Sequence, residues 1–149
     1  MPAMKLKTAG KKFFKSFQEL GIIPMPEHRS LTSNEGTAGE NKFLRDIREK
    51  VHSFADIGCA LAKGAPTTVF AKSILGDKVE VLAVDIEGNF SNPELRKIGI
   101  EPVKHNIVRA PLKKKVDVIR FSGVSVHMSA KERDRALKNI FQSLKWGGI

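Results

Sequence analysis

Ser53-Phe54-Ala55-Asp56-Ile57-Gly58-Cys59-Ala60-Leu61-Ala62-Lys63-Gly64 is the stretch whose reading decides the fold. Ser53 to Ile57 reads as a strand. Gly58 then allows the sharp backbone bend, and the close approach of a ligand, that a side chain would obstruct. Outward from this point the chain alternates. Pro66 to about Leu75 reads as a helix, and Val79 to Val84 as a β-branched strand ending in Asp85, 27 residues beyond Gly58. A short helix follows, with Asn92 as N-cap, Pro93 as first helical residue and Gly99 as terminator. Glu101 to Ile107 predicts a third strand and Val116 to Phe121 a fourth. Ser129-Ala130-Lys131-Glu132 is a capping box that opens a last helix. Ala136, Leu137, Ile140, Phe141 and Leu144 are expected to form its apolar face, with Gly147-Gly148 ending it. Strands alternating with helices imply parallel βαβ units, hence an α/β, doubly wound, mostly parallel sheet.

Upstream the pattern differs. Phe13, Phe17 and Leu20 recur at helical spacing beside Lys11, Lys12 and Lys15, which predicts an amphipathic helix. Gly21 to Asn41 is rich in Pro, Ser, Thr, Gly and Asn and reads as a long connector, a class of segment that often carries function. Phe43, Leu44 and Ile47 predict a second short helix over about Asn41 to Lys50. The expected organisation is therefore residues 1–52 as N-terminal helices and connector, and residues 53–149 as the α/β domain. At 149 residues there is room for one buried core. No apolar run is long enough to span a bilayer, and no apolar block stands behind the basic N-terminus as in a secretory signal. The single cysteine, Cys59, excludes an internal disulfide and a cysteine-built zinc site. These features point to a cytoplasmic protein without a metal centre.

The net charge of +10 is uneven. Residues 1–50 hold ten Lys/Arg against six Asp/Glu, residues 51–100 five against six, and residues 101–149 eleven against four. Such a field attracts polyanions and leaves nucleic acid open as a partner. Lys113-Lys114-Lys115, however, precede the fourth strand and so belong to its amino end. Lys131, Arg133, Arg135 and Lys138 crowd the outer face of the last helix. With one Trp and no Tyr, no stacking platform for bases is evident.

In a doubly wound sheet ligands bind at the carboxyl ends of the strands, beside the switch in strand order. There the sequence places Asp56 and Gly58, then Asp85, then His105-Asn106-Ile107. An acceptor-only carboxylate at Asp85 suits the two hydroxyls of a ribose. The Asn106 amide oxygen can accept from an adenine amino group while a neighbouring backbone N–H, such as that of Ile107, donates to the ring. Together these make an adenosine-shaped site.

The Asp56-x-Gly58-Cys59 strand end, Asp85, Val116-Asp117-Val118-Ile119-Arg120-Phe121 and Ser143-Leu144-Lys145-Trp146-Gly147-Gly148 resemble the motif series of class I S-adenosylmethionine-dependent methyltransferases. The resemblance covers about residues 53–149. It implies S-adenosyl-L-methionine as cofactor, with Asp56, Gly58 and Ala60 at its methionine and sugar part. Asp85 would then bind ribose, with Glu87 as a second candidate, and Asn106 would meet adenine. It also implies a sheet order of 3-2-1-4-5-7-6, of which this chain reaches only the fourth strand and its helix. The fourth strand is then expected to leave an open edge, so that the chain is marginally stable alone, self-associates through that edge, or is a fragment of a longer protein. Where the family has glycines this chain has Ala60 and Ala62. An NAD-binding Rossmann loop fits less well, since its fingerprint needs glycines at 60 and 63, where Ala60 and Lys63 stand.

For catalysis, Ser122 to Met128 lies where an acceptor would enter, and His127 supplies the one imidazole there. Two roles are open for it: general base, or ordering the turn before the Ser129 cap. Two functions follow. One is methyl transfer to an unknown acceptor. The other is a non-catalytic basic module that binds RNA or protein on a degenerate methyltransferase fold.

Overall fold

Buried β-branched and small residues build four strands, β1 (Ser53–Ile57), β2 (Glu80–Asp85), β3 (Ile100–Lys104) and β4 (Val118–Phe121). All three pairings are parallel, in the order β3-β2-β1-β4, so the direction of winding reverses between β1 and β4. The computed structural model describes residues 35–122 and 127–149. The helix expected over Lys11 to Leu20 and most of the connector lie outside the described residues. The helices are α1 (Glu35–Ile47), α2 (Pro66–Leu75), α3 (Pro93–Lys97) and α4 (Ala130–Ser143). The strand order is the first part of the series that the resemblance implied.

Because successive strand residues point to opposite faces, the sheet has two cores. Phe54, Val81, Ala83 and Val118 join Leu44 and Ile47 of α1, Val69, Ile74 and Leu75 of α2, and Leu95 of α3. Ala55, Ile57, Leu82 and Val84 join Ile107, Leu112, Val116 and Ala136 on the other face. All five residues of β1 are buried, so its two polar members, Ser53 and Asp56, must find hydrogen-bond partners inside the protein. Each fully buried side chain of the Phe54 or Val69 kind contributes roughly 1.5–3 kcal/mol.

The local signals act as expected. The Asn92 side chain accepts from the N–H groups of Glu94 and Leu95, and Ser129 and Glu132 form the reciprocal box at the head of α4. Four expectations need correction. The helix expected over Asn41 to Lys50 is longer upstream, because Leu44 and Ile47 are held in the core and Glu40 pairs with Arg120. β3 stops at Lys104, since the Asn106 side chain accepts from the Val108 N–H at 3.0 Å and bends the chain out of the sheet. β4 begins at Val118, because Val116 pairs instead with Leu144. The apolar face of α4 is only half used. Ala136 is buried, but Leu137 is 56% and Phe141 79% exposed, because the inward line runs through Asn139 and Ser143. Asn139 donates to the Ile107 carbonyl, and the Ser143 hydroxyl accepts from Leu112 N–H. On its outer side β4 is partly paired: Ile149 N–H donates to Asp117 and the Ile149 carbonyl accepts from Ile119.

The amino edge of the sheet is closed by two charged side chains. Buried Lys72 donates to the carbonyls of Gly76 and Val79, where α2 ends and β2 begins. One oxygen of Asp117 accepts from the N–H groups of His52 and Ser53 and from the Ser53 hydroxyl, whose oxygen in turn accepts from the Asp117 N–H. Burial opposes ionisation there, but those bonds and nearby Lys145 hold the Asp117 carboxyl below its ordinary value. Among the described residues no helix is long and apolar enough to cross a membrane.

Candidate functional site

The carboxyl ends of β1, β2 and β3 are knitted together. Gly58, in left-handed conformation at φ 71, donates its N–H to the Val84 carbonyl at 2.8 Å. His105 N–H donates to the Asp85 carbonyl at 3.0 Å. Asp85 and Asn106 therefore stand on one rim, beside the Gly58 bend. Of the candidates from sequence, Gly58, Ala60, Asp85, Asn106 and Ile107 all lie along it.

The loop from Gly58 to Ala65 is held at three points. Asp56, just before it, is fully buried, and one of its oxygens accepts from the hydroxyls of Thr67 (3.0 Å) and Thr68 (2.8 Å), just after it. One carboxylate thus staples both ends of the loop. In the middle, Leu61 N–H donates to an Asp85 oxygen at 3.1 Å. The loop after β2 then closes over it at Gly88, where a Cβ would stand 2.8 Å from Leu61 Cγ and 2.9 Å from Ala62 N.

The clamps hold a strained backbone. Ala60 (φ 57) and Ala65 (φ 50) both adopt the left-handed conformation, at roughly 1–2 kcal/mol each. The sequence pointed to Ala60 and Ala62 as replaced glycines. Ala60 bears strain, but Ala62 sits in the short 3-10 turn Leu61–Lys63 and is not among the left-handed residues; the second strained position is Ala65.

Asp85 is half-buried, and its oxygens take one backbone N–H each, from Leu61 and from Ile86 (2.8 Å). Each oxygen keeps a free lone pair, which is the donor–acceptor chemistry of a vicinal diol site. Glu87, the second candidate, is exposed on the loop that follows. The Asn106 carbonyl oxygen is engaged in the turn with Val108, and Ile107 is buried with its carbonyl bound to Asn139. His127 is exposed in the short turn before the Ser129 cap, while Gly123 to Val126 lie outside the described residues. Burial, with Asp56 nearby, pushes the Cys59 thiol up to about 12, which suits a packing residue and not a nucleophile.

Sequence reasoning missed the group beside Asp56. Arg120 of β4 is the register partner of Asp56 across the β1–β4 switch. Its guanidinium donates to the second Asp56 oxygen at 3.2 Å and to Glu40 of α1. Burial pushes the Asp56 carboxyl above its ordinary value, against the pull of Arg120 and the threonine hydroxyls. Burial also works against the Arg120 charge, but Asp56 and Glu40 outweigh it and hold the guanidinium firmly protonated. A lone arginine within the otherwise apolar strand Val118–Phe121 was the available signal; its partner in α1, 80 residues away, was not.

No family model and no curated protein matches the chain. Solved structures do. The N-methyltransferase NodS from Bradyrhizobium japonicum WM9, in complex with S-adenosyl-L-homocysteine, is similar at TM-score 0.55 and 13% identity, over 89% of this chain and 67% of that one. The 1,6-didemethyltoxoflavin-N1-methyltransferase from Burkholderia thailandensis, with 1,6-didemethyltoxoflavin and S-adenosylhomocysteine bound, is similar at TM-score 0.55 and 16% identity, over 97% of this chain and 60% of that one. The S-adenosylmethionine-dependent methyltransferase SibL in its apo form is similar at 0.56 and 16%, over 76% and 34%. The chain spans 34–67% of the length of these three. The fold is the α/β Rossmann-like fold of class I methyltransferases.

Proposed function

We propose that the chain carries the S-adenosyl-L-methionine site of a methyltransferase that acts on an acceptor still to be identified. The observation that carries this reading is Asp85: a half-buried carboxylate at the end of β2, fixed by two backbone N–H groups and with a lone pair left on each oxygen. In this reading Asp85 accepts from the two ribose hydroxyls, and Gly58 with Ala60 lets the backbone lie close to the ligand. Asn106, with its carbonyl oxygen turned into its own loop, offers its NH2 to the ring. Asp56 acts through the loop it staples, since its oxygens are already engaged.

When bound, the cofactor supplies an activated methyl group on a sulfonium, so the protein's contribution is to hold donor and acceptor in line. A base is required only if the acceptor must lose a proton. His127 is the candidate for that role, and a cytoplasmic location goes with the reading. The strained Ala60 favours a second reading, a module of this fold that has lost tight cofactor binding and serves as a basic binding surface.

Calorimetric titration with S-adenosylmethionine and S-adenosylhomocysteine separates the two. Saturable binding by the chain, abolished in Asp85→Ala, is expected. Silence from both proteins at millimolar ligand would leave only the second reading.

A further inference from the structure

The switch point between β1 and β4, where a doubly wound sheet opens its crevice, is occupied here by a charged junction of four elements. Asp56 comes from β1, Arg120 from β4, Glu40 from α1, and Thr67 with Thr68 from the first turn of α2. The guanidinium is 20% exposed and the Asp56 side chain not at all, so the arginine lies between the buried carboxylate and the surface. A carboxylate removed from water is tolerated only with a counter-charge and filled hydrogen bonds. Arg120 provides the first and the two threonines the second.

That carboxylate is also the staple of the Gly58–Ala65 loop, and the loop needs one. Two left-handed alanines persist only if their surroundings over-determine the backbone. The same guanidinium reaches out to Glu40 and so fixes the first half of α1 above the strand ends.

We propose that Arg120 is a positioning residue of the rim: through Asp56 it preorganises the Gly58–Ala65 loop, and through Glu40 it docks α1 beside it. Its consequence for cofactor affinity rests on the nucleoside-site reading above. Its effect on loop and helix does not.

Hydrogen–deuterium exchange on the full chain tests it without ligand, in Arg120→Met, Arg120→Lys and Glu40→Gln. Arg120→Met is expected to raise exchange about tenfold or more in both the loop and α1, with β2 amides from Leu82 to Val84 still protected. Arg120→Lys, which keeps the charge, restores most of the loop protection. Glu40→Gln loosens α1 and leaves the loop unchanged. Equal loosening of the whole sheet, no change in either segment, or a lysine no better than methionine would overturn the proposal. If Arg120→Met does not fold, the other two variants decide: α1 must loosen in Glu40→Gln, and the loop must stay protected in Arg120→Lys.

Acidity gives a second readout. Asp56 faces Arg120 from β4, with Glu40 of α1 behind it, the neutral hydroxyls of α2, and the uncharged thiol of Cys59; Asp85 stands at the next strand end. Without Arg120 the buried carboxyl rises further. A raised folded value gives stability that is present at low pH and lost as pH climbs through it. The stability gap between wild type and Arg120→Met should therefore widen as pH rises above the ordinary carboxylate range. A gap independent of pH contradicts the role assigned to the charge. Finally, if wild type binds S-adenosylhomocysteine, Arg120→Met binds it about tenfold or more weakly. If wild type does not bind it, the cofactor reading fails while exchange still decides the role of Arg120.

Discussion

The two edges of the sheet use the same residue type to opposite ends. At the amino edge, Asp117 gives one oxygen to three donors from His52 and Ser53, and Lys72 gives its ammonium to two carbonyls. These groups join one piece of chain to another. At the carboxyl edge, Asp85 spreads two backbone bonds over two oxygens and stays half-buried. The difference lies in capacity left over: the first carboxylate is a structural clasp, while the second keeps acceptor positions facing outward. Asp56 combines the two, standing at the ligand edge but engaged by Thr67, Thr68 and Arg120.

Substitution at each edge breaks the comparison in a different currency. Asp117→Ala leaves two strand-entry N–H groups and a buried hydroxyl without their acceptor, so urea denaturation should show a loss of about 2–4 kcal/mol. Cofactor affinity, read by calorimetry, should be unchanged. Asp85→Ala should do the reverse, with affinity down about 30-fold or more and stability down by about 1 kcal/mol. Equal effects on both properties in both variants would erase the distinction.

Acid sharpens it. The folded Asp117 carboxyl lies below its ordinary 3.8, so its contribution is complete above that value and lost as pH falls through the folded one. The stability gap between wild type and Asp117→Asn should close on acidification below about pH 4, measured by denaturation at stepped pH. Asp56, shifted upward, has the opposite sign.

The smallest expected effect concerns the strained loop. Ala60 is exposed and left-handed, so Ala60→Gly should stabilise the chain by about 0.5–1 kcal/mol in thermal denaturation. Destabilisation would mean that the methyl group makes a contact the rim needs.

What the sequence made legible was local. The Asn92 cap, the Ser129 box, the β-branched run before Asp85 and the Gly58 bend each declare themselves within a few residues. The parallel α/β class followed from alternation, the strand order from the family resemblance, and the placing of Asp85 from its position at a strand end. What remained hidden depended on distant partners. The start of α1 is fixed by Arg120, 80 residues from Glu40, and the burial of Lys72 by carbonyls that the turn after α2 brings together. Helical spacing found the stripe Leu137 and Phe141 but cannot tell which side the sheet takes; Asn139 and Ser143 won the inner line because each satisfies a backbone group there. At Asn106 the residue type was visible, but not that its carbonyl oxygen is turned into the chain's own bend.

The most direct test of the nucleoside rim is to map it, by following backbone amide chemical shifts while S-adenosylhomocysteine is added to the labelled chain. The expected shifts gather at residues 58–62, 85–88 and 105–107, and vanish in Asp85→Ala. Shifts confined to Lys113–Lys115 or to α4, or none at millimolar ligand, would contradict the assignment.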